Sequence, residues 1–85
     1  MQKFYYLYEI KIENKDSSLN GCYYYGKHIT CDLNDNYYGS GKILNHYKEK
    51  YALLGLTKTI LKFYNNEEEL NLAEYELIKR KKEEL

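Results

Sequence analysis

Valine and tryptophan are absent from this 85-residue chain, and arginine occurs once, as Arg80. Without valine, much of the core falls to aromatic residues, and these are 12 tyrosines against 2 phenylalanines. A tyrosine ring buries well, but its hydroxyl must find a partner, so a tyrosine cluster is a more demanding core than an aliphatic one and marks a candidate site. Net charge is absent too: 13 basic residues balance 13 acidic ones, which excludes a global field drawing the chain to nucleic acid. No apolar run approaches the ~18 residues of a membrane span, and Met1 leads straight into a strand pattern at Phe4, with no apolar leader segment. A cytoplasmic protein without membrane contact is therefore expected. The two cysteines, Cys22 and Cys31, are expected as reduced thiols in that setting. The length allows a single domain over residues 1–85, with one modest core.

What is present is ordered. Residues 3–13 alternate, with Phe4, Tyr6, Tyr8, Ile10 and Ile12 on one face and Glu9, Lys11 and Glu13 on the other, which predicts a strand. A polar loop ends at Asn20-Gly21, a turn signal, and Cys22 to His28 reads as the antiparallel partner. Ile29 to Asn36 reads as a polar loop closing on Tyr37-Tyr38-Gly39-Ser40-Gly41. From Lys42 the period becomes helical through Ile43, Leu44, Tyr47 and Tyr51, with Ser40 as the expected N-cap. Gly55 ends that element. Thr57 to Tyr64 predicts a third strand, and Asn65-Asn66 caps a last helix whose apolar stripe is Leu70, Ala73, Leu77 and Ile78. The acidic start (Glu67, Glu68, Glu69) and basic end (Lys79 to Lys82) of that helix suit its dipole and need no functional reading. The expected fold is α+β, ordered β-β-α-β-α, with helices flanking a small three-stranded antiparallel sheet.

Several residues stand out chemically. Tyr6-Leu7-Tyr8 and Tyr24-Tyr25-Gly26 flank one hairpin and bring phenols from neighbouring strands together, with Lys27 and His28 following at once. His28 shares the Tyr24 face, as a general acid, a phosphate contact or a satisfied structural histidine. Glu74 falls within the apolar stripe of the last helix, where a carboxylate is partly desolvated and needs a partner; a lysine of the sheet would serve as well as a metal. Ser40-Gly41-Lys42 opens a helix, whose positive end suits phosphate as readily as it suits a simple capping turn. Cys22, His28, Cys31 and His46 match no common zinc spacing.

Taken together, Tyr8, Tyr24-Tyr25-Gly26, Gly26-Lys27-His28, Tyr38-Gly39-Ser40-Gly41-Lys42 and the Glu74 helix resemble the GIY-YIG nuclease domain, in the variant of free-standing phage homing endonucleases. The resemblance covers residues 4–80. It implies a Mg²⁺- or Mn²⁺-dependent phosphodiesterase acting on DNA: Tyr8 and Tyr24 shape or deprotonate the attacking water, Lys27 and His28 assist, and Glu74 holds the metal. A free phenol titrates near ~10, so it serves as a base only beside a cation. One carboxylate, waters and phosphate oxygens are a normal Mg²⁺ shell. The chain departs from the family's pattern in three respects. It has no arginine near the first helix, no asparagine after the Glu74 helix, and Tyr6 where the first motif has glycine. The alternative reading keeps the fold without the chemistry: a phage-encoded binding protein or inhibitor acting on a host protein, a nucleic acid or a nucleotide in the host cytoplasm. Under either reading, bare duplex is bound weakly, and a protein partner or homodimer is compatible with the sequence.

Overall fold

The computed structural model describes residues 2–84, and the side chains of residues 82–84 fall outside that description. Met1, Leu85 and the Lys82 side chain, all part of the sequence expectations, therefore lie outside the described residues. Strands β1 (Phe4–Ile12), β2 (Tyr23–Thr30) and β3 (Leu56–Tyr64) and helices α1 (Lys42–Tyr51) and α2 (Glu67–Glu84) follow in the order β-β-α-β-α. The sheet is antiparallel with order β2-β1-β3, so β1, one of two tyrosine-rich strands, is central. This is the expected α+β architecture.

The alternation of β1 sorts its side chains onto two faces. Tyr6, Tyr8, Ile10 and Ile12 form the main core with Leu44 and Tyr47 of α1. Tyr6, Ile10 and Ile12 are completely buried, and full burial of an isoleucine contributes about 1.5–3 kcal/mol. Leu7 faces the other way and is also buried, on the side where α2 lies against the sheet and buries Leu70. The buried Asn14 closes the hairpin base: its Nδ2 donates to the Tyr47 hydroxyl (3.1 Å), and its backbone N–H donates to Asn20 Oδ1 (2.8 Å).

Three local expectations are corrected. Ile29 and Thr30 belong to β2, because Tyr5 and Phe4 of β1 pair with them. Gly41, in extended conformation, is the N-cap of α1 and supplies no side-chain bond; Ser40 instead accepts a hydrogen bond from the Tyr37 hydroxyl (2.9 Å). Ile78 is exposed rather than part of the α2 stripe. At 3.6 residues per turn it sits about 80° around the helix from Leu70, whereas Leu77 returns to within about 20°. The cap of α2 is as expected: Asn66 Oδ1 accepts from Glu69 N–H (2.9 Å), and Glu69 Oε2 reaches back to Asn65 N–H (3.3 Å).

Candidate active site

Register brings Tyr8 opposite Gly26, Tyr6 opposite His28 and Ile10 opposite Tyr24. Tyr6, Tyr8, Tyr24 and His28 therefore share the face that α1 partly covers. The Tyr8 ring lies across Gly26: a Cβ at that position would stand 2.5 Å from the Tyr8 hydroxyl. Gly39 flanks the phenol from the loop, at 3.5 Å by the same construction, and its φ of +83° suits glycine. The two glycines thus leave the space that the phenol fills. Burial, then the neighbouring Tyr37, then the Glu74 charge push Tyr8 far above the ordinary range for a phenol. Burial, then the nearby charges of Asp35 and Tyr37, push Tyr6 up to about 12. Tyr24 is raised as well, by burial first and by Cys22 second. At neutral pH these tyrosines are protonated, so each hydroxyl keeps a proton that it can donate.

Beside Tyr8, His28 meets two residues that no sequence motif marked, Asp35 and Tyr37. His28 Nε2 meets Asp35 Oδ2 at 2.8 Å, and its ring stacks on Tyr37 with centroids 3.6 Å apart and planes 4° apart. Tyr37 in turn meets Tyr8 edge-on at 5.7 Å. The histidine contact, aided by Thr30 and the Tyr37 backbone N–H, holds the Asp35 carboxyl down at about 2. Asp35 therefore remains ionised and, having only acceptor oxygens, takes its hydrogen bond from His28 Nε2–H. A pH dependence follows. Because the folded value lies below the ordinary 3.8, the stabilisation is fully present above about pH 4 and is lost as pH falls towards 2. Thermal melts of wild type and Asp35→Asn should differ most above pH 4 and converge near pH 2. A constant difference across that range would remove Asp35 as the cause.

Lys58 of β3 completes this face. Its Nζ donates to the Tyr6 hydroxyl at 2.5 Å and lies 4.8 Å from the Tyr6 ring centroid, 5.7 Å from that of Tyr37 and 6.0 Å from that of Tyr38.

Lys27 and Glu74 sit on the opposite face. Lys27 pairs with Leu7 in register and meets α2, donating to Asn71 Oδ1 and standing 3.9 Å from Glu74 Oε1. The Glu74 side chain is one-quarter exposed, and its charge still contributes to raising Tyr8. The sequence thus placed Glu74 correctly on the inner side of its helix, and the lysine partner considered for it is Lys27. No three His, Cys, Asp or Glu residues converge among the described residues, so Cys22, His28, Cys31 and His46 make no zinc cage; both cysteines are free thiols. A single carboxylate suits a cation that keeps most of its shell as water and phosphate oxygens, as Mg²⁺ does, and does not suit an all-protein cage.

At the N-terminus of α1, Ser40, Gly41 and Lys42 are exposed. No acidic residue occupies the first turn, so the partial positive charge of the helix end is uncompensated there. The Tyr37 hydroxyl bonded to Ser40 links this end to the Tyr8 face. Asp35, Tyr37 and Lys58 were not selected from sequence. Asp35 lies seven residues beyond its partner in a polar loop, and Lys58 follows 30 residues after His28, so only strand pairing joins them.

Known proteins are similar to nearly the whole chain. Endonuclease segA of Enterobacteria phage T4 is 39% identical over 77 residues, which is 91% of this chain and 33% of segA. Two further T4 proteins, segE and segB, carry provisional endonuclease designations. They are 45% identical over 60 residues (71% of this chain, 29% of segE) and 39% identical over 75 residues (88% of this chain, 32% of segB). No family model and no solved structure matches the chain. The chain spans about one third of the length of the curated relatives it matches, and over that third it is homologous to phage T4 proteins named as endonucleases.

Proposed function

We propose that this chain is a GIY-YIG-type, divalent-metal-dependent endonuclease domain that hydrolyses phosphodiester bonds in DNA. The observation carrying this reading is the 39% identity to endonuclease segA across 91% of the chain. The enclosed Tyr8 phenol, beside a histidine oriented by a carboxylate, adds chemical support.

The geometry supports the following roles. Tyr8 and Tyr24, protonated at neutral pH, position the attacking water by hydrogen bonds; they do not begin as bases. His28, with Nε2 held by Asp35, accepts or returns a proton at Nδ1. Glu74 would hold the cation, which when bound supplies charge neutralisation at phosphorus and an activated water. Lys27, beside Glu74 on the α2 side of the sheet, brings positive charge next to the cation position, and Ser40, Gly41 and Lys42 offer phosphate a helix N-terminus. The test is incubation of the purified chain with supercoiled, linear and branched DNA in Mg²⁺, in Mn²⁺ and in EDTA. Metal-dependent strand breaks are expected; intact DNA in every lane would refute the reading.

Binding to bare duplex should be weak. The formal net charge is zero, so affinity rests on a few local phosphate contacts, and a log–log salt slope of about −2 to −3 is expected. Nanomolar affinity for random duplex at physiological salt would contradict this and indicate a dimer or a larger basic surface.

A second reading is favoured by one observation: Glu74 already has a cationic neighbour in Lys27. On that reading the fold serves as a binding protein, with a host protein, nucleic acid or nucleotide as its target. Full retention of metal-independent binding alongside absent cleavage would select it.

A further inference from the structure

Burying an ammonium group is expensive unless it is paired, and carboxylates pair Lys11 and Lys27 in this molecule. Lys58 is different. It is partly buried, and among the described residues it forms no ion pair; its contacts are the Tyr6 hydroxyl and the faces of Tyr6, Tyr37 and Tyr38. Aromatic faces compensate a cation only in part. Asp35, whose charge acts on Lys58 only at longer range, is already engaged by His28.

The ammonium also has an opening. Lys58 lines a depression of about 250 Å³ together with Asn34, Asn36, Tyr37 and Tyr38, with Leu33 and Ile60 as the apolar members. Tyr37 forms the wall between this depression and the Tyr8–His28 group, touching both sides. The two asparagines lie on the loop that Asp32 and Asp35 shape by accepting from the backbone N–H groups of Asn34 (2.9 Å) and Tyr37 (3.2 Å). The left-handed backbone of Asn36 (φ +57°) is the bend preceding Tyr37. A partly desolvated cation in a depression that also presents two asparagines and two tyrosines is arranged for an anion that supplies several acceptors.

We propose that Lys58, set among Tyr6, Tyr37 and Tyr38, is a phosphate-binding residue that anchors a backbone phosphate of the nucleic acid beside the Tyr8 site. This rests on the nuclease reading for its physiological ligand, but the anion site itself does not. Burial lowers the ammonium's proton affinity while the Asp35 charge supports it, so an arriving phosphate strengthens the charged form. A lysine is a compact point charge here, and an arginine could replace it if the depression accommodates the larger fork.

Two measurements test this. In the first, wild-type protein with ¹³C-labelled lysines is titrated with inorganic phosphate at constant ionic strength, and each lysine Cε resonance is followed, with chloride as the control anion. A saturable shift at Lys58 is expected with phosphate and not with chloride. In the second, duplex affinity is measured in EDTA for wild type, Lys58→Met and Lys58→Arg, with circular dichroism to verify folding. Lys58→Met should bind about tenfold more weakly and lose about one unit of salt slope, while Lys58→Arg keeps most of the affinity. Unchanged affinity and slope in folded Lys58→Met, or no phosphate-specific shift at Lys58, would overturn the proposal. The outcomes separate the two ideas. A Lys58 shift without DNA cleavage leaves the anion site standing and removes the nuclease reading, whereas cleavage without a Lys58 shift does the reverse. The wild-type titration decides even if Lys58→Met fails to fold.

Discussion

Replacing Glu74 by glutamine should reduce DNA cleavage by at least ~10²-fold, the scale for losing one strong electrostatic interaction in a transition state. Glutamine keeps the shape and removes the charge that would hold the cation. Stability should hardly change. The Lys27–Glu74 pair spans 3.9 Å and both side chains are partly exposed, and such pairs are worth about 0–1 kcal/mol. Lys27 also keeps its bond to Asn71. A structural glutamate and a metal ligand are therefore distinguished by rate and melting temperature measured together. Cleavage by Glu74→Gln at the wild-type rate would show that the metal assignment is wrong.

Tyr8→Phe should also be severe, about 10²–10⁴-fold in rate if the phenol takes part in proton transfer or in holding the water. The ring stays in its place between Gly26 and Gly39, so packing survives. A purely structural hydroxyl would cost one hydrogen bond, about 0.5–1.5 kcal/mol, or several degrees in melting temperature for a domain of this length. Tyr24→Phe should slow hydrolysis with little loss of stability, since Tyr24 packs on the core with its ring. If both variants melt several degrees lower yet cleave at full rate, the tyrosines are an aromatic core and nothing more. Because burial and neighbouring charge raise the Tyr8 phenol, an alkaline limb of the rate profile near neutrality should not be assigned to its ionisation in the free protein.

The elements of the fold were legible because each carries its own periodicity. The alternation from Phe4 to Ile12 gave β1 its buried face, and the Asn66–Glu69 pair gave α2 its start. Where periodicity ended, inference weakened: Ile29-Thr30 looked like loop because the decision lay in pairing with Phe4 and Tyr5. The site was half legible for the same reason. Tyr8, Tyr24, His28 and Glu74 sit on regular elements whose faces can be counted. Asp35 and Tyr37 come from an irregular loop, and Lys58 reaches Tyr6 from a strand whose register includes a bulge opposite Leu7 and Tyr8. Alternation along β2 puts Lys27 and His28 on opposite faces of the sheet, but counting residues could not show what each face meets, α2 for Lys27 and Tyr37 for His28.

Cleavage of a supercoiled plasmid in ¹⁸O-labelled water, with Mg²⁺ and with EDTA, tests hydrolysis directly. The expected result is Mg²⁺-dependent nicking with ¹⁸O in the newly formed terminal phosphate, and no product in EDTA. Plasmid that stays intact in both Mg²⁺ and Mn²⁺, or strand breaks that carry no oxygen from the solvent, would contradict a metal-dependent endonuclease built on Tyr8, His28 and Glu74.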